Sequence, residues 1–162
     1  MLFPAKTRAG LVGLVVAGGA AAAVALGPAA SAVGQASQPV QVQIAVHSPA
    51  TLVAKGASVD VSVTASCSAN AEPPLVTVEI VENVEGTIAL GYGEPAFSCT
   101  GTSQTLDVLV TAGDTSPNGS SVGPSAPYAK GVAIADAMIS ACTPDGSTCA
   151  GQQVQPVITI KK

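Results

Sequence analysis

The stretch "SVDVSVTASC", Ser58 to Cys67, decides the fold, because its apolar and polar residues alternate along its whole length. An extended strand points successive side chains to opposite faces, so a strand with one buried face shows this period of two. The residues expected on the buried face are Val59, Val61, Val63, Ala65 and Cys67. Those expected to point to solvent are Asp60, Ser62, Thr64 and Ser66. The stretch therefore predicts a half-buried β-strand.

Other short segments on both sides of this strand carry the same signal. The segment "VQVQIAVH" places on one face Val40, Val42, Ile44 and Val46. The segment "LVTVEIVENV" does the same with Val76, Val78 and Ile80. Further strand candidates are "TIALGY", "QTLDVLVT" and "QPVITI", and turn-forming residues such as Pro73 and Pro74 separate the segments. Short strands at this spacing predict an all-β protein, an antiparallel sandwich of about seven strands.

The seventh candidate, "YAKGVAIADAMISAC" (128–142), fits two structures. A helical stripe would contain Val132, Ala135, Ile139 and Cys142. As a strand, the segment has on one side Val132, Ile134, Met138 and Cys142, with small Ala or Gly residues on the other. We favour the strand, because the Pro-Asp-Gly turn that follows suits the end of a hairpin. The helix remains the alternative for this segment.

The N-terminal segment predicts export. A short basic head with Lys6 and Arg8 precedes an uncharged apolar run, which ends in Ala30-Ser31-Ala32. Small residues in this pattern are typical of a signal-peptidase site, so we expect a cleaved secretory signal peptide at 1–32. An uncleaved membrane anchor is the alternative. After cleavage we expect a flexible N-terminus at 33–38, one sandwich domain at 39–162, and a secreted, extracellular location.

Charge excludes two classes of partner. Without Lys6 and Arg8, four lysines remain against ten carboxylates, and four minus ten gives a net charge of −6 with no basic cluster. Nucleic acids and anionic membrane surfaces are bound mainly by arrays of Lys and Arg. We therefore expect no nucleic-acid partner and no membrane insertion after signal cleavage.

Four cysteines, Cys67, Cys99, Cys142 and Cys149, form an even set in a chain expected to be exported, which is typical of a disulfide framework. No CxxC pair is present, and the single histidine, His47, is distant in sequence, so a zinc site is not indicated. Four cysteines allow three pairings. We favour Cys67 with Cys99 between strands and Cys142 with Cys149 across the turn "TPDGST".

These features together resemble a family of small secreted actinobacterial proteins of unknown function with immunoglobulin-like sandwiches. The matching features are the Ala/Gly/Val-rich signal, "VDVSVTASC" with the first cysteine, "FSCTG" with the second, and "KGVAIADAMISAC" before the cysteine-closed turn. Antibody-type domains keep a core Trp and a Tyr two residues before the second cysteine. This chain has no Trp, and Phe97, Ser140 and Ser147 precede its later cysteines by two. The resemblance therefore implies an architecture and transfers no binding residue.

The chain is also similar in size, acidity and disulfide number to apoproteins of the neocarzinostatin type, which carry a chromophore. Its cysteine spacing differs, and beyond the signal its aromatic residues are Tyr92, Phe97 and Tyr128. We expect all three to be packing or turn-covering residues. A small-ligand carrier is thus the alternative function, together with a protease inhibitor that uses the Cys142–Cys149 hairpin.

Catalytic and metal motifs are incomplete. The GxSxG pattern around Ser121 lies in a Pro/Gly/Ser loop without the strand and helix that present such a nucleophile, and His47 precedes it. A partial calcium loop contains Asp114, Ser116, Asn118 and Gly119. Ser125 stands where that loop needs a bidentate Glu. We therefore expect no catalytic, cofactor-binding or metal-binding residue and no enzymatic activity.

The remaining charged candidates are assigned to the surface. On a strand, Glu79 and Glu85 share a face and Glu82 takes the other, so they do not converge as an acid/base pair. We expect them to be solvated or to protect a sheet edge, and we place His47 at the rim. The predicted function is a non-catalytic secreted or envelope-associated interaction or structural module. The sequence specifies neither its partner nor its oligomeric state, and we expect partner contact on the loop 112–127 or the Cys142–Cys149 hairpin.

Overall fold

The computed structural model describes residues 39–72, 74–113 and 125–162, and in these ranges it has nine β-strands and one 3-10 turn at Ala54–Gly56. The strands are β1 (Val42–Val46), β2 (Ala50–Val53), β3 (Ser58–Cys67), β4 (Leu75–Val84), β5 (Thr87–Gly93), β6 (Gln104–Ala112), β7 (Gly131–Cys142), β8 (Cys149–Val154) and β9 (Val157–Lys161). The expected signal peptide at 1–32 and flexible segment at 33–38 lie outside the described residues.

Backbone pairing joins the strands into one sheet that closes on itself. Around the ring, β3 pairs with β2, β2 with β9, β9 with β7, β7 with β4, β4 with β5, β5 with β6, and β6 with β3. In addition, β1 pairs with β3 beside β2, and β8 pairs with β7 beside β9. The described chain is therefore all-β, a closed barrel of seven strands with two further strands attached.

The observed topology corrects the expected fold in three respects. The ring is closed instead of forming two separate sheets, the β2–β9 pair is parallel, and the described residues alone contain nine strands where about seven were expected. The two strands missed from the sequence are β2, which has four residues, and β8, in which four of the six residues are exposed. Neither segment shows the period of two in its sequence. Both form strands because they pair with neighbouring strands.

The core follows the alternation read from the sequence. In β3 the predicted inner residues are buried, and the residues between them are half-buried. In β4 the predicted inner residues Val76, Val78 and Ile80 are also buried, as is Ile44 of β1. Burying a Val or Ile side chain stabilises a fold by about 1.5 to 3 kcal/mol, so these aliphatic faces provide most of the driving force for closure.

The segment with two interpretations is strand β7, and three of its large apolar residues point outward. Its buried residues are mostly small, namely Ala133, Ala135, Ala137, Ile139 and Ala141. Its outward side chains Val132, Ile134 and Met138 are 65%, 51% and 39% exposed. Small inner residues let β7 lie close to the Val and Ile side chains of the facing strands. A large apolar surface is thereby left on the outside.

Both disulfides have the pairing favoured from the sequence. Cys67 is bonded to Cys99, and Cys142 is bonded to Cys149. The first bond ties the end of β3 to the irregular segment that follows β5, where Phe97 packs against the core. The second closes the β7–β8 hairpin at a directly opposed residue pair. Each bond therefore fixes a strand end.

Candidate functional site

An outward row of apolar side chains crosses four adjacent strands. The register sets Val81 of β4 opposite Leu90 of β5 on one side and opposite Ile134 of β7 on the other. Ile134 in turn lies opposite Val157 of β9. Directly opposed residues of neighbouring strands lie about 4.5 to 5.5 Å apart, so the four side chains form a continuous strip.

Two further outward residues widen this strip. Val132 lies two positions before Ile134 on β7, and Ile88 lies two positions before Leu90 on β5. Ile88 is 49% exposed and Val157 is 67% exposed. We call the apolar face the set Val81, Ile88, Leu90, Val132, Ile134 and Val157. Val81 and Leu90 are half-buried, and the polar residues Asn83 and Thr159 lie opposite Ile88 and Val132 at the border of this face. An outward apolar surface of this kind is typical of an interaction site.

Charged residues of opposite sign border the apolar face along β7. At one end, Asp136 lies opposite Glu79 of β4. At the other end, Gly131 of β7 is paired with Ile160 of β9, the exposed Lys130 directly precedes Gly131, and the exposed Lys161 directly follows Ile160. The face thus has an acidic end and a basic end about six residues apart on β7.

The acidic end is held by side-chain hydrogen bonds. The Gln153 amide donates from Nε2 to both carboxylate oxygens of Asp136, each at 2.8 Å. The Gln155 amide also donates to Asp136 Oδ2. Two amides on one carboxylate restrict its rotamers, which fixes the position of the negative charge beside the apolar face.

Sequence reasoning missed this face, although β7 carried a signal for it. The strand has apolar residues on both sides, and the alternation was read there only to separate strand from helix. The large apolar side of β7 faces outward because its small residues are the ones that are buried. The strip of apolar residues across the sheet depends in addition on the registers of β7 with β4 and β9. The expected contact regions, the loop and the hairpin, do not include it.

The structure corrects the interpretation of the three glutamates. Strand β4 lies between β5 and β7, so none of them protects a sheet edge. Glu79 and Glu82 do point to opposite faces, but Glu82 is 3% exposed and lies on the inner side with Val78 and Ile80. Glu85 lies beyond β4, in the turn before β5. The three carboxylates therefore do not converge on one site.

Two buried polar side chains, Glu82 and Tyr128, join β4 to the segment before β7. The Glu82 carboxylate accepts a hydrogen bond from the Ala129 backbone N–H at 2.9 Å, and the Tyr128 hydroxyl donates to the Ile80 carbonyl at 2.9 Å. Tyr128 is 3% exposed. Burial, and then the negative charges of Glu82 and Glu79, raise the pKa of the Tyr128 hydroxyl well above its usual range. The group therefore works as a neutral donor that anchors the chain before β7.

Replacing Tyr128→Phe removes this hydrogen bond and is expected to lower the free energy of unfolding by about 1 kcal/mol at neutral pH. Because folding raises the pKa of Tyr128, its contribution is present below pH 10 and decreases as the pH rises above that value. Urea unfolding at neutral and alkaline pH measures both effects. The wild-type protein should lose more stability with rising pH than the variant.

The control is Tyr92→Phe. Within the described residues the Tyr92 hydroxyl is buried and has no hydrogen-bond partner of good geometry, although it faces the Thr77 side chain. This substitution should therefore change neutral-pH stability by no more than about 0.5 kcal/mol. An equal loss in both phenylalanine variants would show that the Tyr128–Ile80 bond contributes nothing specific.

The other single candidates occupy structural positions. His47 is exposed at the end of β1, where its Nε2 lies 2.6 Å from the Thr64 hydroxyl, as expected for a rim residue. Phe97 is partly buried and Tyr128 is buried, which agrees with their predicted packing roles. None of these side chains is brought next to a second group that would form a reactive pair.

The Cys142–Cys149 hairpin has an ordered tip centred on Asp145. Its Oδ1 accepts hydrogen bonds from the Ser147 N–H at 3.1 Å, from the Ser147 hydroxyl at 2.9 Å and from the Thr143 hydroxyl. The hydroxyl of Thr143, followed by the bonds from Ser147, lowers the pKa of Asp145 to about 2. The carboxylate thus organises the turn from an exposed position.

Titration of the Asp145 carboxyl carbon by NMR should give a midpoint at about pH 2 instead of the ordinary value near 3.8. Because folding lowers this pKa, the contribution of the carboxylate to the turn is present above pH 3.8 and decreases as the pH falls towards 2. The Ser147 amide should exchange faster over the same interval. In the variant Thr143→Val the midpoint should move up towards 3.8, and an unchanged midpoint would contradict the assignment of this hydroxyl as the main cause.

Several predicted motifs lie outside the described residues. These are Ser121 of the GxSxG pattern, the calcium-loop residues at 114–119, and most of the loop 112–127. Ser125 is described, and its hydroxyl accepts from the Leu90 N–H at 2.7 Å and donates to the Leu90 carbonyl at 3.0 Å. It therefore attaches the segment before β7 to β5.

The described residues offer little that resembles a ligand or metal site. A polar depression of about 230 Å³ lies beside β1 and β3, lined by residues that include Gln43, Thr64 and Gln152. In residues 39–72, 74–113 and 125–162, no group of three or more His, Cys, Asp or Glu side chains is arranged to hold a metal ion. Over those same ranges, no helix has the length and apolarity needed to cross a membrane.

The comparisons with known proteins give no relative: no family model, no curated protein and no solved structure matches the chain.

Proposed function

We propose that the chain is a non-catalytic protein, secreted or associated with the cell envelope, that acts as an interaction or structural module through the apolar face. The observation that carries the proposal is the strip Leu90–Val81–Ile134–Val157 on the outside of the barrel. Exposing this much Val, Ile and Leu side chain has a solubility cost unless a partner covers it. Two disulfides are compatible with an extracellular location.

We further propose that the barrel is a variant of the immunoglobulin-like sandwich and that the chain is similar to small secreted actinobacterial proteins of that architecture. In support, β6–β3 and β5–β4–β7–β9 face each other across the aliphatic core. The two layers join through only two residue pairs between β5 and β6 on one side, and through the parallel β2–β9 pair on the other. Such short junctions are consistent with two packed sheets.

The carrier alternative has weaker support. Ligand pockets usually have volumes of about 300 to 1,000 Å³ and apolar walls. The depression beside β1 is smaller, about 230 Å³, and polar residues make up much of its lining. The hairpin expected for an inhibitor is present, but its tip is occupied by internal hydrogen bonds of Asp145. We therefore prefer the interaction module.

Site-specific photo-crosslinking in the producing cells tests this proposal. A photoreactive phenylalanine analogue replaces Ile134, which is 51% exposed on the apolar face. The control carries it at Leu109, which is 55% exposed on β6, away from that face. We expect a discrete adduct at position 134 that is absent at position 109. The same faint labelling at both positions would overturn the interaction function.

Export is tested separately by mass spectrometry of the protein recovered from the medium. A polypeptide that begins at Val33 and gains about 4 Da on reduction of two disulfides would support it. Recovery of the chain only inside the cell with its N-terminal segment intact would contradict the proposed location. That result would leave the crosslinking test of the apolar face unaffected.

A further inference from the structure

The apolar face has charges arranged in a self-complementary way along β7. Lys130 lies three residues before Ala133, and Asp136 lies three residues after it, while Val132 and Ile134 stand symmetrically between them. Val132, Ile134 and Asp136 lie on the outer side of β7, and Lys130 is the exposed residue directly before the strand. At about 3.3 Å per residue, each charge is about 10 Å from the centre of the apolar segment.

A two-fold axis across the strands at Ala133 would exploit this symmetry. Rotation about such an axis stacks two copies face to face with their β7 strands antiparallel. Lys130 of each copy then lies against Asp136 of the other, and Val132 lies against Ile134. The opposite orientation, with parallel β7 strands, would set lysine against lysine and aspartate against aspartate. Charge complementarity therefore selects the antiparallel arrangement.

Resting on the proposed function, we propose that the partner of the apolar face is the same face of a second copy of this chain. The charge separation is carried by β7 and β9, where Lys161 adds to the basic end. Glu79 of β4 lies near the acidic end, and Glu85, in the turn after β4, lies near the basic end, so the same rotation brings Glu79 of one copy towards Glu85 of the other. The closest contact is therefore centred on β7 and β9, with β4 towards the rim.

The size of the face sets the expected strength of the dimer. Four strands about 4.8 Å apart and seven residues along β7 define a projected area of roughly 300 to 400 Å². A standard stable interface buries about 800 Å² per partner. We therefore expect a reversible dimer with a Kd of about 10 to 100 μM, in rapid exchange with the monomer.

Sedimentation velocity of the purified, disulfide-bonded protein over a concentration series tests the self-association. Ile134→Lys introduces a charge at the centre of the face and should weaken the dimer at least about tenfold. Leu109→Lys changes the same kind of side chain at similar exposure on β6 and should leave the Kd unchanged. A wild-type protein that stays monomeric to about 1 mM would overturn the proposal.

Exchanging the charges of Lys130 and Asp136 tests the antiparallel orientation of the dimer. The single variants Lys130→Glu and Asp136→Lys should each weaken the dimer about three- to tenfold, because each contact occurs twice. The double variant K130E/D136K recreates opposite charges across the axis and should recover most of the wild-type affinity. Additive weakening in the double variant would overturn the antiparallel arrangement. Variants at Asp136 also lose the hydrogen bonds from Gln153 and Gln155, and thermal unfolding of each variant shows whether this loss affects folding. If it does, the Ile134→Lys and Leu109→Lys variants decide whether the face self-associates.

The photo-crosslink at position 134 separates this inference from the proposed function. An adduct of twice the monomer mass supports both. An adduct of another mass supports the interaction module and overturns self-association. The absence of any specific adduct overturns the interaction module itself.

Discussion

Removing the Cys67–Cys99 bond with the double variant C67A/C99A should lower the free energy of unfolding by about 3.7 kcal/mol. The bond closes a loop of 32 residues, and constraining a loop of this length in the unfolded chain gives an entropic stabilisation of that order. Cys67 is also 3% exposed and packs with Val40 and Ala141, so truncation leaves a small void. Denaturant unfolding monitored by circular dichroism measures the loss.

The matched control is C142A/C149A. That bond closes a separation of only seven residues, for which the same relation gives about 2.4 kcal/mol. The hairpin also keeps the Asp145 hydrogen bonds when the sulfur bridge is removed. We therefore expect the first double variant to be the less stable of the two. The reverse order would show that local packing at the hairpin outweighs loop entropy.

Strands that carry an alternation of apolar and polar side chains along their own length could be predicted from the sequence. In β3 the inner residues such as Val61 and Val63 are fully buried as expected, since no neighbouring strand is needed to read a period of two. Strand β8, "CAGQQV", has no such period and exists because the disulfide and its register with β7 hold it there. A strand of that kind cannot be read from its own residues.

Glu82 shows a different kind of miss. Its position continues the inner series of Val78 and Ile80, so the period of two placed it inside. Its charge led to the opposite interpretation, because an isolated buried carboxylate is costly. The structure offsets part of that cost with the Ala129 N–H. That donor is 47 residues away in the chain, and its proximity depends on the closure of the barrel.

The apolar face was beyond sequence reasoning for a related reason. The residues of β7 show two apolar sides, and the choice between them depends on the volumes of the facing strands. The alignment of Val81, Ile134 and Val157 depends on two registers between strands that are far apart in sequence. Pairwise registers of this kind are set by tertiary packing, and a single strand carries no record of them.

Replacing Gly91→Ala should be among the most damaging single substitutions, with an expected loss of about 3 kcal/mol or more. A Cβ at position 91 would lie 2.2 Å from the Thr111 carbonyl oxygen and 2.6 Å from the Tyr128 hydroxyl. Thr111 is paired with Ser58 in the β3–β6 ladder, so its backbone cannot move aside without breaking that ladder. The tyrosine would also be pushed away from Ile80.

The damage should be localised at the junction of β5 and β6. Only two residue pairs join these strands, Gly91 with Ala112 and Tyr92 with Thr111, and the Gly113 N–H donates to the Leu90 carbonyl beside them at 2.9 Å. In the alanine variant the Gly113 amide should lose its protection from hydrogen exchange before the β4–β7 amides do. That order would identify this junction as the point where the barrel opens.

The same substitution at Gly151 provides the control. A Cβ there would lie 3.5 Å from its nearest neighbour, the Ile139 carbonyl oxygen, which is an ordinary contact. Gly151→Ala should therefore change stability by no more than about 0.5 kcal/mol. If Gly91→Ala were tolerated equally well, β5 and β6 would not approach as closely as the closed ring requires. The chain would then be better described as two sheets that face each other without closure on this side.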